Sequence, residues 1–224
     1  MSTYARFPIV LTKGSGTSVS DLTGKTYLDF VSGIAVNTFG HADTKQVAAI
    51  MRQAETLLHV SNLYYNQPQI MLAEWLTEHS FADRAFFCNS GAEANEGAIK
   101  LARKFAKTID PGRFEIIAAQ GSFHGRTLAA LAATGQEKYH KGFEPMPKGF
   151  KHVPFDDAVA VSKAITPQTA AVLLEPIQGE GGVRLPSAGY LAKVRALCNR
   201  YRLILIFDEV QTCMGRTGVL FRYE

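Results

Sequence analysis

The chain has 224 residues, of which 46% are hydrophobic and 20% are charged, as in an ordinary folded protein with enough apolar material for a core. The formal net charge is +4, but the basic residues are scattered, so no nucleic-acid surface is indicated. The three cysteines lack metal-ligand spacing, which favours reduced thiols and no metal site. Since no apolar run reaches the length of a membrane span, we expect a cytoplasmic protein that does not bind membranes.

The first part of the chain predicts small elements joined by loops. Residues 17–30 have the pattern of a hairpin that turns at Thr23-Gly24. One helix is predicted to open near Asp43, and another has Pro68 at its first position. We therefore predict an N-terminal segment over residues 1–75 that consists of a hairpin, helices and loops.

From about residue 84 the sequence alternates between strand and helix patterns. The predicted strands are 84–88, 114–119, 150–153, 170–175 and 203–207, and the predicted helices are 91–107, 157–165 and 188–201. Such alternation predicts an α/β domain over residues 76–224 with a mostly parallel, doubly wound sheet. Its apolar strands would be covered on both faces.

Acidic residues stand at the carboxyl ends of two predicted strands. Glu175 ends one strand and Asp208 directly follows another, while Glu180 lies in the glycine-rich turn after the first. Ligands in open α/β sheets bind outside the carboxyl ends of the strands. A carboxylate buried there is costly unless a cationic partner meets it. The acids therefore favour a binding site at this edge of the sheet.

The segment Cys88–Glu96 predicts the start of a helix. Ser90 and Glu93 have the spacing of a capping box, and a capping role alone is one reading of the segment. The other is that the backbone N–H groups of Gly91 and Ala92 receive a phosphate at the positive end of the helix dipole. No Walker motif and no Gly-x-Gly-x-x-Gly occurs, which disfavours an NTPase and a Rossmann dehydrogenase.

The loop at residues 121–127 carries three side chains with two readings each. Phe123 is a loop anchor or an aromatic plate for a ligand ring. His124 is structural or catalytic. Arg126 is a surface ion-pair partner or a bidentate ligand for a substrate carboxylate. With the acids and the helix start, the strand ends offer the parts that a pyridoxal 5′-phosphate (PLP) site needs.

Four segments resemble signatures of the class III aminotransferases. They are Asn-Ser-Gly-Ala-Glu-Ala-Asn-Glu at 89–96, Phe-His-Gly-Arg-Thr at 123–127, Glu-Pro-Ile-Gln-Gly-Glu-Gly-Gly at 175–182 and Asp-Glu-Val-Gln-Thr at 208–212. Segments 28–37 and 61–66 are similar to the acetylornithine aminotransferase branch of that family. The resemblance implies the PLP-dependent transferase fold type I and a homodimer. It also implies amino transfer between N2-acetylornithine and 2-oxoglutarate in arginine biosynthesis.

The resemblance further implies roles for individual residues. The implied PLP-binding residues are Ser90, Gly91, Ala92, Phe123, Asp208, Val210 and Gln211. Asp208 would pair with the ring nitrogen N1, Phe123 would stack on the ring, and Gln211 would contact the ring hydroxyl. The implied substrate-side residues are Arg126, which would grip the substrate carboxylate, together with Glu180 and Tyr64.

The family's Schiff-base lysine is expected beyond Asp208-Glu-Val-Gln211, and the sequence has no lysine after Lys193. We therefore expect an N-terminal portion of an aminotransferase, truncated before the last strands and the C-terminal small domain and inactive by itself. Whether this portion binds PLP alone is left open. The alternatives are a class III enzyme for ornithine, succinylornithine or 4-aminobutyrate, and a non-catalytic half-domain that complements a separate C-terminal chain.

Overall fold

The computed structural model describes Met1 and residues 3–224, which divide into two compact units, Met1–Ala85 and Phe86–Glu224. The predicted border between residues 75 and 76 falls within helix α3, Gln67–Glu78. The division of the chain at that border stays a prediction. Among the helices of the described chain, none has both the length and the apolar content that crossing a bilayer requires.

The first unit contains a small antiparallel sheet and three helices. Its strands pair in the order β1-β2-β3 and span Leu11–Ser15, Ser18–Asp21 and Thr26–Leu28. Its helices are α1 Ser32–Ala35, α2 Thr44–Thr56 and α3 Gln67–Glu78. The predicted hairpin is confirmed, because β2 pairs antiparallel with β3 and the Asp21 side chain accepts from the N–H groups of Thr23 and Lys25.

Two predicted helix starts in this unit can be compared with the structure. Asp43 caps α2 by accepting a hydrogen bond from the N–H of Gln46, which confirms the predicted start. In α3 the cap is Asn66, so Pro68 is the second helical residue and not the first. Proline is tolerated at both positions because neither backbone nitrogen has a partner within the helix.

The second unit is built on a parallel sheet. Its strands are β4 Glu115–Ala119, β5 Phe150–Val153, β6 Thr169–Leu174 and β7 Ile204–Phe207, in the order β5-β4-β6-β7. Its helices are α4 Gly91–Ile109, α5 Leu128–Ala133, α6 Ala158–Ala164 and α7 Tyr190–Tyr201, with a 3-10 turn at Glu137–Tyr139. All three pairings are parallel, which confirms the predicted sheet.

The predicted strand at 84–88 is wrong. These residues have no regular secondary structure, and no strand of the described chain pairs with them. An apolar pattern makes a strand only where a neighbouring backbone completes its hydrogen bonds. Phe86, the apolar centre of the segment, is 78% exposed.

The sheet is covered on both faces because successive strand residues point to opposite sides. One face packs against α6 and α7, and its buried side chains are Ile117, Val172, Leu174, Val161, Val194 and Cys198. The other face packs against α4, and its buried side chains are Ile116, Ala171, Leu173, Ile99, Ala102 and Ala106. The two clusters confirm the doubly wound arrangement.

The strand order creates a crevice at the carboxyl edge of the sheet. The chain runs from β4 to β5 on one side and then crosses to β6 on the other side of β4. Loops that diverge in this way leave room for a ligand between them. Leu174 pairs with Phe207, and the N–H of Asp208 donates to the carbonyl oxygen of Leu174 at 2.8 Å, so Glu175 and Asp208 emerge side by side.

Gly135 lies where the chain passes closely over the end of β4. A Cβ added there would overlap the carbonyl oxygen of Ala119 and lie 2.8 Å from the Cα of Gln120. Because both neighbours are backbone, we expect Gly135→Ala to lower the free energy of unfolding by roughly 1–3 kcal/mol, measured by chemical denaturation.

Gly97, inside α4, provides the matched control for this substitution. A Cβ there would lie 3.7 Å from the nearest atom of Phe86, which is ordinary contact. Gly97→Ala should raise the free energy of unfolding by about 0.5–1 kcal/mol, since alanine costs less backbone entropy in a helix. A shift of the same sign in both variants would contradict the close approach at Gly135.

Candidate active site

A cavity of about 310 Å³ opens at the carboxyl ends of β4, β6 and β7. Its volume lies at the lower end of the range found for small-molecule sites. It is lined by the first residues of α4 and by the three loops that follow these strands. The predicted site residues that line it are Gly91, Ala92, Phe123, Arg126, Asp208, Val210 and Gln211.

The first turn of α4 forms one wall of the cavity. Ser90 is the N-cap, and its Oγ accepts a hydrogen bond from the N–H of Glu93 at 3.2 Å. The carboxylate of Glu93 reaches the N–H of Asn89 at 2.7 Å, so the reciprocal bond of the predicted capping box falls one residue earlier than Ser90. Gly91 lies so close to Val210 that a Cβ would meet its Cγ2 at 2.9 Å.

The carboxylate of Asp208 lies at the buried end of the cavity and has three partners. Its Oδ2 accepts from the Nδ1 of His124 at 2.8 Å and from the Nδ2 of Asn95 at 2.8 Å. Its Oδ1 accepts from the N–H of Val210 at 3.1 Å. Burial raises the pKa of Asp208, but these hydrogen bonds and the charge of His124 outweigh it, so the pKa lies below its ordinary value. The group is therefore an anion at neutral pH.

The loop that carries Phe123 is held by hydrogen bonds from three directions. The Oε2 of Glu175 accepts from the N–H of Phe123 at 3.1 Å, and the Oγ1 of Thr134 accepts from the N–H of His124 at 2.9 Å. Glu96 of α4 caps the start of α5, because its Oε1 accepts from the N–H groups of Ala129 and Ala130 at 3.1 and 3.2 Å. These bonds give the loop a defined conformation beside the cavity.

Two predicted site residues of this loop share one aromatic neighbour. The ring of Phe123 meets the ring of Tyr139 edge to face at a centroid distance of 5.7 Å. The guanidinium of Arg126 lies 5.7 Å from the same Tyr139 centroid. Tyr139 belongs to the 3-10 turn after α5. Its contacts with Phe123 and Arg126 restrict the conformations of both side chains.

Glu175 is a second acid in the wall of the cavity. Glu175 is 5% exposed, and its carboxylate accepts hydrogen bonds from the N–H groups of Phe123 and Gly179. Burial raises the pKa of Glu175 to about 7, and the positive charge of His124 and these N–H groups offset only part of that effect. Near neutral pH the cavity therefore holds one ionised acid, Asp208, and one that titrates.

The loop after β7 packs tightly against the loop after β6. A Cβ at Gly179 would overlap the Oε1 of Gln211, so only a glycine lets the Gln211 side chain take this position. Gln211 lines the cavity beside Val210. This packing brings Gln211 of the Asp-Glu-Val-Gln segment to the same cavity as Asp208.

Comparison with known proteins identifies a family. The family model described as Aminotransferase class-III matches residues 2–224. The chain belongs to the class III aminotransferases. Members of this family depend on PLP, and the family predicted from the four sequence segments is confirmed.

Individual class III aminotransferases show the extent of the likeness. The acetylornithine aminotransferase of Caldanaerobacter subterraneus subsp. tengcongensis is 56% identical over 100% of this chain and 57% of the relative. The structure of the ornithine aminotransferase from Toxoplasma gondii ME49 has a TM-score of 0.94 at 37% identity, over 99% of this chain and 53% of its own. The structure of the omega transaminase from Pseudomonas jessenii in complex with PMP has a TM-score of 0.89 at 30% identity, over 96% of this chain and 53% of its own.

These likenesses confirm the predicted fold type of the class III aminotransferases. The chain spans about half the length of the curated relatives it matches.

Two predicted site residues of the second unit, Ser90 and Glu180, do not line the cavity. Ser90 is exposed and acts as a helix cap in the structure. Glu180 is exposed in the turn after β6. Tyr64 belongs to the first unit and is 69% exposed. Their proposed contacts with cofactor or substrate stay predictions.

Asn95 contacts Asp208 in the cavity and was not among the site residues predicted from the sequence. It lies four residues after Gly91 on α4 and therefore on the same helix face, which was the available signal. His124 had two readings in the sequence, and the structure places it against Asp208. Glu175, expected at a binding site from its strand end, lines the cavity.

The raised pKa of Glu175 predicts a pH-dependent stability. Between its unfolded value of 4.5 and its folded value of about 7, the native state keeps a proton that the unfolded chain has lost. As pH rises through this window, the contribution of this group should therefore lower the free energy of unfolding by up to about 3 kcal/mol. Above the window the contribution should stay level. Glu175→Gln should remove that fall, measured by urea denaturation from pH 4.5 to 8.

Glu137→Gln, at an exposed position in the same unit, is the matched control and should keep the wild-type pH dependence. If Glu175→Gln and wild type lose stability in parallel over this range, the carboxyl of Glu175 does not titrate there.

Proposed function

We propose that this chain is the cofactor-binding portion of a PLP-dependent enzyme that transfers an amino group between N2-acetylornithine and 2-oxoglutarate, in arginine biosynthesis in the cytoplasm. The observation that carries the proposal is the ionised carboxylate of Asp208, buried in the same cavity as the N-terminus of α4. One anion and one anion-binding helix end suit a ligand with a cationic ring nitrogen and a phosphate.

The start of α4 fits a phosphate group. Gly91 and Ala92 occupy the first turn of a 19-residue helix, where backbone N–H groups and the helix dipole favour an anion. The lack of a side chain at Gly91 keeps open a space that a Cβ could enter only against Val210. We assign phosphate binding to Gly91 and Ala92, with Ser90 holding the helix start in place.

The remaining lining residues fit a pyridine ring. Asp208 would accept a hydrogen bond from the protonated ring nitrogen N1, with Phe123 and Val210 on the ring faces and Gln211 at the ring hydroxyl. When bound, PLP supplies the electron sink for the charge that develops as the substrate Cα–H bond breaks. The protein's contribution is to keep Asp208 anionic, so that the ring nitrogen stays protonated, and to orient the ring against Phe123.

The substrate side of the proposal depends on Arg126. Its guanidinium lies at the cavity wall beside Tyr139 and can form a bidentate pair with a substrate carboxylate. Tyr64 and Glu180 are proposed as further substrate contacts from the family resemblance alone.

The amino donor is proposed from the comparisons. The relative at 56% identity is named acetylornithine aminotransferase, whereas the ornithine aminotransferase structure is 37% identical. This difference favours the acetylated donor over free ornithine. We also propose a homodimer, because the first unit exposes apolar side chains along α2, among them Val47, Ile50 and Met51.

Binding of pyridoxamine 5′-phosphate (PMP) tests the cofactor site. PMP already carries its amine and needs no covalent bond to the protein, and no lysine lines the cavity within the described residues. We expect saturable binding by isothermal titration calorimetry. Asp208→Asn should weaken binding about 10- to 100-fold, because a charge-assisted hydrogen bond to the ring nitrogen is lost.

Asp110→Asn is the control for this experiment. Asp110 is an exposed residue at the C-terminal end of α4, the helix whose first turn lines the cavity. It should bind PMP like wild type. Equal affinity of wild type and Asp208→Asn would remove Asp208 from the site, and absence of binding to wild type would refute a cofactor site in this chain.

A glutamate-forming assay tests the reaction. With PLP, N2-acetylornithine and 2-oxoglutarate, the 224-residue chain should form no glutamate, because the described residues that line the cavity include no lysine for proton transfer. An enzyme of full family length that contains these residues should have a higher kcat/KM for N2-acetylornithine than for ornithine. Turnover by the chain alone would contradict the first expectation, and the reverse donor order would favour an ornithine aminotransferase.

A further inference from the structure

Asn95 lies on helix α4 and lines the cavity. The residue is 5% exposed. Its Nδ2 donates two hydrogen bonds of 2.8 Å, one to the carbonyl oxygen of His124 and one to the Oδ2 of Asp208. Both partners are acceptors, so the amide nitrogen, and not the amide oxygen, must face them.

These two bonds join three separate parts of the fold. Asn95 comes from α4, His124 from the loop after β4, and Asp208 from the end of β7. Asn95 also lies four residues after Gly91, which is about 6 Å along the helix axis. One amide therefore connects the helix whose first turn lines the cavity to the acid at the cavity's buried end.

We infer that Asn95 is a positioning residue, which holds the carboxylate of Asp208 and the backbone of His124 at fixed distances from helix α4. The inference rests on the proposed function in so far as Asp208 serves a ring nitrogen. The contacts of Asn95 themselves are independent of any ligand.

The chemistry of the site explains why an amide suits this position. An apolar residue of similar size would leave the His124 carbonyl and one hydrogen-bonding site of Asp208 without a buried donor. A carboxylate would place a second anion against Asp208 and raise the cost of ionising both. Asparagine supplies two N–H donors and no charge.

Substitution of Asn95 removes none of the other titratable or charged groups around Asp208. His124 faces it from the loop after β4, and Glu175 from the loop after β6. Val210 donates its N–H to the other oxygen, and Arg216 and Cys213 lie further along the same loop. A change in the titration of Asp208 in an Asn95 variant therefore reports the loss of the amide.

The experiment measures the pKa of Asp208 in the ligand-free full chain, by NMR pH titration of ¹³C-labelled aspartate. We expect Asn95→Leu to raise this pKa by about one unit or more, which is about a tenfold shift in the protonation equilibrium. Asn95→Asp keeps the size of the side chain and should raise the pKa values of the two facing carboxyls further. This variant provides the test if Asn95→Leu does not fold. Asn199→Leu and Asn199→Asp, on the exposed side of α7, are the matched controls and should leave Asp208 unchanged.

PMP affinity separates the inference from the proposed function. If PMP binds wild type and the Asn199 variants alike but binds the Asn95 variants about tenfold more weakly, both hold. A raised Asp208 pKa without PMP binding to any form supports the positioning role and refutes the proposed cofactor site. An unchanged Asp208 pKa together with unchanged PMP affinity in both Asn95 variants overturns the inference and leaves the proposed function standing.

Discussion

The carboxylate of Asp208 lies in the protein interior, and the surrounding site is arranged to keep it ionised there. Burial by itself would favour the neutral acid. Hydrogen bonds from His124, Asn95 and the N–H of Val210 reverse that preference, so the pKa lies below its ordinary value. Each donor comes from a different place: the loop after β4, helix α4 and the loop after β7. Asp208 therefore stays ionised in the protein interior because these three segments pack around its carboxylate.

The contrast between Asp208 and Glu175 shows how environment divides two acids in one cavity. Both follow neighbouring parallel strands and both are buried. Asp208 has donors strong enough to offset its burial, whereas Glu175 has two backbone N–H groups, and its pKa rises to about 7. The first acid therefore supplies a permanent negative charge. The second mainly fixes the loop of Phe123.

Much of the candidate site was predictable from the local pattern. An acid directly after an apolar strand, as at Asp208, and small residues at the start of a capped helix, as at Gly91, are features that a parallel sheet brings to one edge. The contacts of Asp208 were not predictable in the same way, because Asn95 and His124 lie 113 and 84 residues away along the chain. Helical periodicity places Asn95 on a face of α4 but does not say what that face meets.

The amino-acid sequence by itself determined strands β4 to β7, helices α4, α6 and α7, and the acids at the carboxyl edge of the parallel sheet. These follow from hydrophobic periodicity and from glycine and capping signals, which act over a few residues. Tertiary structure alone decided that residues 84–88 form no strand, that Glu180 is exposed, and that Asn95 faces Asp208. The physical reason is that a strand needs a partner backbone and a buried amide needs an acceptor, and distant parts of the chain supply both.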